Sequence, residues 1–361
     1  MKINVGIIGM GRSGWELHAE PISKMENYKL VAVCDNSAKR LEEAKEHFNT
    51  EVTTDPEVIF SNPLINLVVI SVPGNFHHPF SLKAMEKGKN VVVEKPMAIG
   101  LSEADEMISA SKKYNVILTT FHNRRWDNDF QKLKAIADKG ILGEILAIES
   151  RVMTFGTEWT TYGVKEFRPS WRLEKNFGGG FLFDWGPHLV DQILNLTGKA
   201  PVSIYCQLRN YIWAKEVDDY FSIKLVFPDN VIATLESTND SRIPLPRWFV
   251  IGKKGTLAAN GEWGKWEEMT IKGEGAGPEG EVKPLDISKE VGEKAYDVGQ
   301  NLSFKFYQGL HKALSENKKP PVTSLEARNV ISVLEAAKIS AKENRVLYFK
   351  KNQSGELNYE Q

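Results

Sequence analysis

The chain has 361 residues, with 46 basic and 47 acidic side chains and a formal net charge of −1. This length favours two domains, and the balanced charge offers no field that would attract nucleic acid or an anionic membrane surface. The two cysteines, Cys34 and Cys206, are too few for a disulfide framework or a four-thiolate zinc site. No apolar run approaches the roughly 20 residues that span a bilayer, and the N-terminus lacks the long apolar core of a signal peptide. We therefore expect a soluble, cytoplasmic protein.

The first 122 residues alternate short apolar runs with helical segments, which is typical of a parallel sheet covered by helices on both faces. The predicted strands are Ile3–Ile8, Leu30–Cys34, Leu67–Val72, Val91–Val93 and Val116–Phe121. The helices predicted between them are Ser37–Phe48, Pro79–Lys87 and Ser102–Tyr114. This alternation predicts an α/β domain over residues 1–122.

The remainder of the chain has a different pattern. Longer strands with partial alternation are predicted at Ile204–Tyr211, Tyr220–Phe227 and Val231–Glu236, and helices at Asp127–Lys139, Asn301–Ser315 and Ser324–Glu343. Such alternation indicates a sheet with one face covered by helices and the other facing solvent or another subunit. We expect an α+β domain with a large, mostly antiparallel sheet over residues 123–349. Residues 350–361 are predicted to be a polar tail without fixed structure.

A glycine-rich turn, Gly9-Met10-Gly11-Arg12-Ser13-Gly14, follows the first strand directly. In this spacing the first glycine permits a tight turn, the second lets a pyrophosphate approach the backbone, and the third packs strand against helix. Amides at the start of the following helix then face the phosphates. The pattern alone also fits an ordinary glycine turn. With a strand before it and Asp35 at the end of the second strand, it predicts a Rossmann-type dinucleotide-binding domain.

Asp35 is placed where an acid can bind both ribose hydroxyls, although it can also be read as an acid at a helix start. A carboxylate there favours NAD, because it would repel a 2′-phosphate. Lys39 and Arg40 lie close enough in sequence to soften this preference, or else they belong to a solvated helix face. Pro21 interrupts the first helix, and we expect the helix to restart there, since proline is favoured at a first helical position.

Two further segments follow predicted strands at the carboxyl edge of the sheet, where open α/β sheets bind ligands. Glu94-Lys95-Pro96 places a lysine, fixed by a proline, directly after a buried strand, although most lysines are solvated surface residues. The residues predicted to line the nicotinamide side are Ser71, Pro73, Asn75 and His77. His77 and His78 can equally cap the next helix.

In the second domain the most informative stretch is Gly178–Asp191. Asp184 and His188 are four residues apart and can meet on one helix face, where a carboxylate would orient the imidazole for proton transfer. A metal site that includes Asp191 is conceivable, but the sequence supplies no evident fourth ligand. From this stretch alone, Asp184 as a helix cap and His188 as a buried core residue is slightly the better interpretation.

Taken in order, these motifs resemble the Gfo/Idh/MocA family of nicotinamide-dependent oxidoreductases. The resemblance covers nearly the whole chain and includes Asn123-Arg124-Arg125. It implies that Lys95, Asp184 and His188 form a catalytic triad, which overturns the core interpretation of the pair, and that the open sheet face mediates a homo-dimer or homo-tetramer. With these residues in place, no metal is needed. His122–Phe130 is especially similar to scyllo-inositol dehydrogenase-like members, whose NADP-dependent forms usually carry Ser-Arg where this chain has Asp35.

The expected function is oxidation of a secondary hydroxyl of a sugar, inositol or related polyol, or reduction of the ketone, with NAD expected ahead of NADP. The predicted cofactor-binding residues are Gly9, Met10, Gly11, Arg12, Ser13, Gly14, Asp35, Ser71, Pro73, Asn75, His77, Glu94, Lys95 and Asn123. The predicted substrate-binding residues are Lys95, Asn123, Arg124, Trp159, Tyr162, Arg172, Asp184 and His188, in a pocket expected between the domains.

Several alternatives stay open at this point. Trp159 and Tyr162 can be core residues, and Arg124 can be a structural ion-pair partner. Some relatives are NAD-dependent glycoside hydrolases, which oxidise a sugar transiently and return the hydride. Others, such as the yeast galactose repressor, are similar in fold and sense a ligand without turnover. The intact set of Lys95, Asp184 and His188 argues against a sensor, which does not require it.

Overall fold

A computed structural model of the chain describes residues 2–156, 171–259, 269–273, 283–285 and 303–360. Backbone contacts divide the described residues into two compact units. The first unit takes its residues from Met1–Asn123, Thr160–Gly179 and Asn301–Ile331, and the second from Arg124–Trp159, Gly180–Gln300 and Ser332–Gln361. None of the described helices is both long enough and apolar enough to cross a membrane.

The first unit contains a sheet of strands β1 (Ile3–Ile8), β2 (Tyr28–Cys34), β3 (Glu51–Thr53), β4 (Leu67–Ile70), β5 (Asn90–Val93) and β6 (Leu118–Thr120). Their order is β3-β2-β1-β4-β5-β6, and each neighbouring pair is parallel. All four residues of β4 are fully buried, as expected for a central strand covered on both faces. The predicted Rossmann-type architecture is confirmed.

The helices of this part of the chain are α1 (Glu20–Lys24), α2 (Ala38–Phe48), α3 (Pro56–Ser61), α4 (His77–Glu86) and α5 (Leu101–Lys113). The segment before α1, Ser13–Ala19, is a π-helix that passes directly into α1. Pro21 lies at the second position of α1, where the missing N–H is tolerated. The prediction of an interruption and restart at Pro21 is therefore wrong, because the helical path is continuous and changes from π-helix to α-helix at Glu20.

The second unit contains strands β7 (Ile145–Met153), β8 (Ser203–Arg209), β9 (Tyr220–Val226), β10 (Ile232–Thr238), β11 (Trp248–Gly252), β12 (Gly255–Ala259), β13 (Met269–Gly273), β14 (Lys283–Leu285), β15 (Leu347–Lys351) and β16 (Leu357–Tyr359). Their order is β14-β13-β12-β11-β7-β10-β9-β8-β15-β16. Within the described part of this sheet, β7 and β10 run parallel and the other neighbours are antiparallel. The predicted mostly antiparallel sheet is confirmed.

The two faces of this sheet differ in exposure. On β9 the alternate residues Phe221, Ile223 and Leu225 are fully buried. The opposite face of the sheet exposes apolar residues such as Ile232 and Ile251.

The helices of the second unit include α6 (Asn128–Asp138), α7 (Phe181–Asp184) and α8 (Gly186–Thr197).

The C-terminal part of the chain differs from the sequence prediction in two respects. The described residues of the predicted tail, 350–360, are not unstructured, because β15 pairs with β8 and β16 folds back on β15. Leu347 and Leu357, both buried, anchor this hairpin, and their signal was hidden by the polar residues around them. In addition, α9 (Ser303–Glu316) belongs to the first unit, and α10 (Ser324–Glu343) begins in the first unit and ends in the second.

Candidate active site

The turn after β1 shows why each of its glycines is required. Gly9 has a φ of +95°, and a Cβ atom there would lie 2.0 Å from the carbonyl oxygen of Ser71. A Cβ on Gly14 would lie 1.9 Å from the carbonyl oxygen of Gly9, whereas a Cβ on Gly11 would meet nothing within 4 Å. Gly9 and Gly14 therefore close the turn, and Gly11 leaves open space beside the backbone for a phosphate.

Asp35 is buried at the end of β2 and holds the glycine turn. The N–H of Met10 donates to Oδ2 at 2.7 Å, and the N–H of Ser37 donates to Oδ1 at 2.9 Å. Nη1 of Arg40, also buried, lies 3.5 Å from Oδ2. The carboxylate is thus fixed in orientation and paired with a cation at the end of the strand.

A cavity of about 580 Å³ lies at the carboxyl edge of the first sheet. The predicted cofactor-binding residues in its walls are Gly9, Gly11, Arg12, Ser13, Asp35, Ser71, Pro73, Glu94 and Lys95. Four loops meet there because the strands before them run parallel. The open space at Gly11, the amides of the following helix and the fixed carboxylate of Asp35 fit a dinucleotide. The cavity can thus hold NAD with Lys95 in the same wall.

Several residues of the cavity wall are absent from the predicted cofactor- and substrate-binding residues. Its additional walls include Phe76, Phe80, Trp171, Glu174 and Phe177. Arg172, predicted as a substrate contact, also lines the cavity, and its guanidinium lies 4.5 Å from the ring centre of Trp171. The four-residue spacing of Phe76 and Phe80 at a helix start was a usable signal for two of these residues.

Glu94 is buried between two hydrogen-bonding partners. Its Oε1 lies 3.1 Å from Nε2 of His18, and its Oε2 accepts from the N–H of Lys95 at 3.1 Å. Burial acts to raise the pKa of Glu94, but the hydrogen bond and charge of His18, together with the charge and amide of Lys95, hold the pKa below its ordinary value. Glu94 is therefore an ionised carboxylate at neutral pH.

His77 is buried and is not among the residues that line the cavity, although it was predicted to line the nicotinamide side. Its Nδ1 lies 2.6 Å from the carbonyl oxygen of Pro96, and its Nε2 lies 2.9 Å from the carbonyl oxygen of Val72. Burial lowers the pKa of His77, against the opposing effect of these two carbonyl contacts. The His77 ring contacts two loops. His77 is also the first residue of α4, close to the helix-capping position given as the alternative in the sequence analysis.

The remaining predicted residues are placed as follows. Met10 is buried and Gly14 packs against the backbone of Gly9, so both stabilise the glycine turn without lining the cavity. The Oδ1 atom of Asn75 is buried without a hydrogen-bond partner, and Asn123 begins a 3₁₀ turn. Trp159 and Tyr162 lie outside the described residues.

Arg124 forms the ion pair that the alternative interpretation anticipated. Its Nη1 donates to Oδ2 of Asp127 at 2.9 Å. Its guanidinium also lies 4.3 Å from the ring centre of Trp185. Arg124 is thereby held beside Trp185, which joins α7 to α8.

Asp184 and His188 lie on these two consecutive helices. Asp184 ends α7, and His188 is in the first turn of α8. Trp185 between them keeps a helical backbone, with φ −94° and ψ −31°, and its carbonyl accepts from the N–H of His188 at 3.1 Å. Both residues therefore follow one nearly continuous helical path. His188 is largely buried, and Asp184 is partly exposed.

Asp218 fixes the start of α7 and was missed by the sequence analysis. Its Oδ2 accepts from the N–H of Leu182 at 2.7 Å, and its carbonyl accepts from the N–H of Phe181 at 3.0 Å. A Cβ on Gly180 would lie 2.4 Å from Oδ1 of Asp218, so glycine is needed there. Burial raises the pKa of Asp218 to about 7.

Asp191, considered above as a metal ligand, is engaged by an arginine. Arg125 donates from Nε to Oδ2 at 2.8 Å and from Nη2 to Oδ1 at 2.6 Å. This two-point pair occupies both carboxylate oxygens and anchors α8 three residues after His188. Asp191 therefore acts as an ion-pair partner.

Comparison with known proteins identifies both halves of the chain. Residues 3–122 match the model of the oxidoreductase family with an NAD-binding Rossmann fold, and residues 130–258 match the GFO/IDH/MocA C-terminal domain. The uncharacterized oxidoreductase YdgJ of Escherichia coli (strain K12) is 30% identical over 354 residues, which cover 96% of this chain and 98% of that protein.

Two other similar proteins cover nearly the whole chain. The scyllo-inositol 2-dehydrogenase (NADP(+)) IolW of Bacillus subtilis (strain 168) is 28% identical over 357 residues, or 96% of this chain and 95% of that protein. The crystal structure of an NAD-binding protein from Listeria innocua is 26% identical, with a TM-score of 0.84, and covers 96% of this chain and 97% of that one. The chain therefore belongs to the Gfo/Idh/MocA family of oxidoreductases, and its first unit is an NAD-binding Rossmann domain.

Proposed function

We propose that this enzyme is an NAD-dependent dehydrogenase that oxidises a secondary hydroxyl of a sugar, inositol or related polyol, or reduces the corresponding ketone. The observation that carries the proposal is the presence of Asp35 and Lys95 in the walls of one cavity with the glycine turn. Asp35 can bind the ribose of a nicotinamide cofactor, and the positive charge of Lys95 can interact with a reacting oxygen in the same cavity. The similarity to IolW, named as an inositol dehydrogenase, supports the polyol class.

The proposed chemistry assigns one role to each reacting residue. Oxidation of a secondary alcohol removes a proton from the hydroxyl group and a hydride from the same carbon, and bound NAD supplies the hydride acceptor. His188 is the base that accepts the hydroxyl proton. Asp184 and Lys95 hydrogen-bond the reacting oxygen. The positive charge of Lys95 stabilises the developing alkoxide, or polarises the carbonyl in the reverse direction.

The proposed substrate contacts outside this group are Asn123, Arg124, Trp159, Tyr162 and Arg172. Arginine can hydrogen-bond sugar hydroxyls through several N–H groups, and aromatic rings can stack on the C–H faces of a sugar ring. Arg172 lines the same cavity as Lys95, which supports its inclusion. Since Arg124 already pairs with Asp127, only its remaining N–H groups are proposed to meet the substrate.

We also propose that the exposed face of the second sheet is covered in a homo-dimer or homo-tetramer. Ala147 of β7 pairs with Ile232 of β10 on one side and with Ile251 of β11 on the other. Ile232 and Ile251 are 41% and 37% exposed, so this row presents apolar side chains to solvent. A closed symmetric assembly would remove this apolar surface from water.

The proposal is tested by a screen of polyols and aldoses with NAD and NADP, in which the absorbance of reduced nicotinamide is followed. Each positive reaction is repeated with Lys95→Ala as the control, because contaminating dehydrogenases would be unaffected by this change. The proposal predicts reduced cofactor with at least one polyol or aldose, and a rate about 10²- to 10⁴-fold lower with the variant. Release of an aglycone from a glycoside without net reduced cofactor would contradict it and indicate a hydrolase.

A further inference from the structure

Two buried histidines of the first unit contact the segment Glu94-Lys95-Pro96, and neither has a part in the proposed chemistry. His18 lies in the π-helical segment after the glycine turn, and His77 begins α4. Both side chains are almost completely buried. Burial of a polar ring is costly unless its nitrogens are hydrogen-bonded, so the partners of each ring indicate what it holds in place.

A chain of hydrogen bonds runs from Tyr307 through His18 to Glu94. The hydroxyl of Tyr307 lies 2.7 Å from Nδ1 of His18. Because the ionised carboxylate of Glu94 can only accept, Nε2 of His18 carries a proton and donates to Oε1 of Glu94 at 3.1 Å. Tyr307 thus contacts one nitrogen of the His18 ring, and the other nitrogen orients Glu94.

Tyr307 is itself fixed in the core. Its backbone carbonyl accepts from the hydroxyl of Tyr28 at 2.7 Å, and its ring packs against Phe306 with centroids 5.4 Å apart. The ring of His18 in turn lies 4.4 Å from that of Phe121. This packing leaves little freedom for the hydrogen-bonded chain, so the carboxylate of Glu94 has a fixed position from which it accepts the N–H of Lys95.

His77 holds the other side of the same segment. It contacts the carbonyl oxygen of Pro96, directly after Lys95, and the carbonyl oxygen of Val72, in the loop after β4. Val72 and Lys95 both line the cavity. The ring of His77 therefore ties two cavity loops together next to the backbone of Lys95.

We propose that His18 and His77 are positioning residues for Lys95. His18 acts through Glu94 on the amide of Lys95, and His77 acts on the carbonyl of Pro96, so the backbone is fixed on both sides of the lysine. The inference rests on the proposed catalytic role of Lys95. A lysine ammonium stands on a flexible four-carbon stem, and a displacement of about 1 Å caused by a remote change can lower a rate about 100-fold.

The test reads the side chain of Lys95 directly. Lysines of the full-length protein are dimethylated with ¹³C, and the Lys95 signal is assigned by its loss in Lys95→Arg. His18→Leu and His77→Leu remove the hydrogen bonds, and we expect each to move or broaden the Lys95 signal. In His18→Gln and His77→Gln the amide supplies hydrogen-bonding groups again, and the signal should return towards its original position.

Two further variants complete the series. Tyr307→Phe removes a single hydroxyl group with its ring retained, so it tests the His18 chain even if His18→Leu fails to fold. His78→Leu is the matched control, because the ring of His78 contacts Glu106 at the surface. We expect Tyr307→Phe to shift the Lys95 signal and His78→Leu to leave it unchanged.

Turnover and cofactor affinity are measured on the same variants. Both leucine variants should lower kcat by about 10- to 100-fold with little change in the dissociation constant of NADH, and the glutamine variants should recover part of the loss. A Lys95 signal that stays unmoved in folded His77→Leu and in Tyr307→Phe would overturn this inference. An active Lys95→Ala enzyme would instead overturn the proposed function, and the Lys95 signal would still report whether the histidines position the residue.

Discussion

The backbone N–H of Met10 donates a hydrogen bond of 2.7 Å to the carboxylate of Asp35, which ties the glycine turn after β1 to the end of β2. The same carboxylate lies 3.5 Å from Arg40. Asp35 therefore fixes the turn, and we propose that it also presents acceptors to a ribose. Arg40 also lines the cavity, and we expect its positive charge to meet a 2′-phosphate when NADP binds.

This arrangement predicts that the enzyme prefers NAD over NADP and that Asp35 is the cause. Asp35→Ala should weaken NAD binding by about 10-fold or more, because charge-assisted hydrogen bonds to the ribose are lost. NADP binding should improve, since Arg40 no longer has the carboxylate beside it. Fluorescence titration with NADH and NADPH measures both dissociation constants.

Arg40→Ala is the matched control for the cofactor preference. It should weaken NADPH binding more than NADH binding, because only NADPH carries the phosphate that the guanidinium can meet. Equal or stronger binding of NADPH by the unsubstituted enzyme would contradict the predicted preference and would implicate Lys39 or Arg40.

The roles of Gly11 and Gly14 in the glycine turn can be separated by a pair of substitutions. In Gly11→Ala the new methyl group meets no protein atom within 4 Å, so thermal stability should stay near that of the unsubstituted protein, while NADH affinity falls because the methyl group lies in the cavity. In Gly14→Ala the methyl group would lie 1.9 Å from the carbonyl of Gly9, so stability should fall as well. Thermal melting and NADH titration distinguish the two, and normal NADH binding by Gly11→Ala would refute the role given to Gly11.

Asp218 should make stability depend on pH. Its pKa is raised from about 3.8 to about 7, so the folded state holds a proton that the unfolded state has released. The stabilisation is full below about pH 3.8, declines as the pH rises from about 3.8 to about 7, and is gone above about 7. The shift corresponds to at most about 4 kcal/mol, and to less than this because the side chain is partly exposed.

Urea unfolding at pH 5 and pH 8 measures this contribution. The free energy of unfolding should fall more between these pH values in the unsubstituted protein than in Asp218→Asn, which cannot titrate. Asp138→Asn, at a side chain that is 61% exposed, is the control and should follow the unsubstituted protein. The same pH dependence with and without Asp218 would show that burial does not raise its pKa.

The proposed assembly is tested at the row of Ile232, Ala147 and Ile251. One chain has a mass of 40.7 kDa, and light scattering at micromolar concentration should give a dimer or tetramer. Ile232→Glu places a charge on the apolar face and should shift the protein towards the monomer. Leu64→Glu, at an apolar residue that is 64% exposed in the first unit, should leave the mass unchanged. A monomer in the unsubstituted protein would reject the assembly.

Much of the first unit could be predicted from sequence, because its central strands are short and almost wholly apolar. The runs that form β1, β4 and β5 have this property, and their ends mark the loops that carry the glycine turn and Lys95. The edge strand β3 was missed, since Glu51–Thr53 is only three residues long and partly exposed. The hairpin of β15 and β16 was missed for a similar reason.

The missing parts of the site depend on contacts between residues distant in sequence. Asp218 reaches Leu182 across 36 residues, and Trp171 and Phe177 join a cavity formed by the first 95 residues. The burial of His77 depends on the carbonyl of Pro96, which no local pattern reveals. Residue type and spacing identified candidates for the chemistry, whereas the supporting contacts emerged only from the folded chain.

The central claim is that Lys95 and His188 serve chemistry and not folding. Turnover of Lys95→Ala and His188→Ala, measured on the polyol or aldose found in the screen, tests it most directly, with thermal melting and NADH titration as controls on the same samples. Each variant should lose about 10²- to 10⁴-fold in rate, as is typical when a proton-transfer residue is removed. Melting temperature and NADH affinity should stay near those of the unsubstituted enzyme. A correctly folded His188→Ala protein with full turnover would contradict the account.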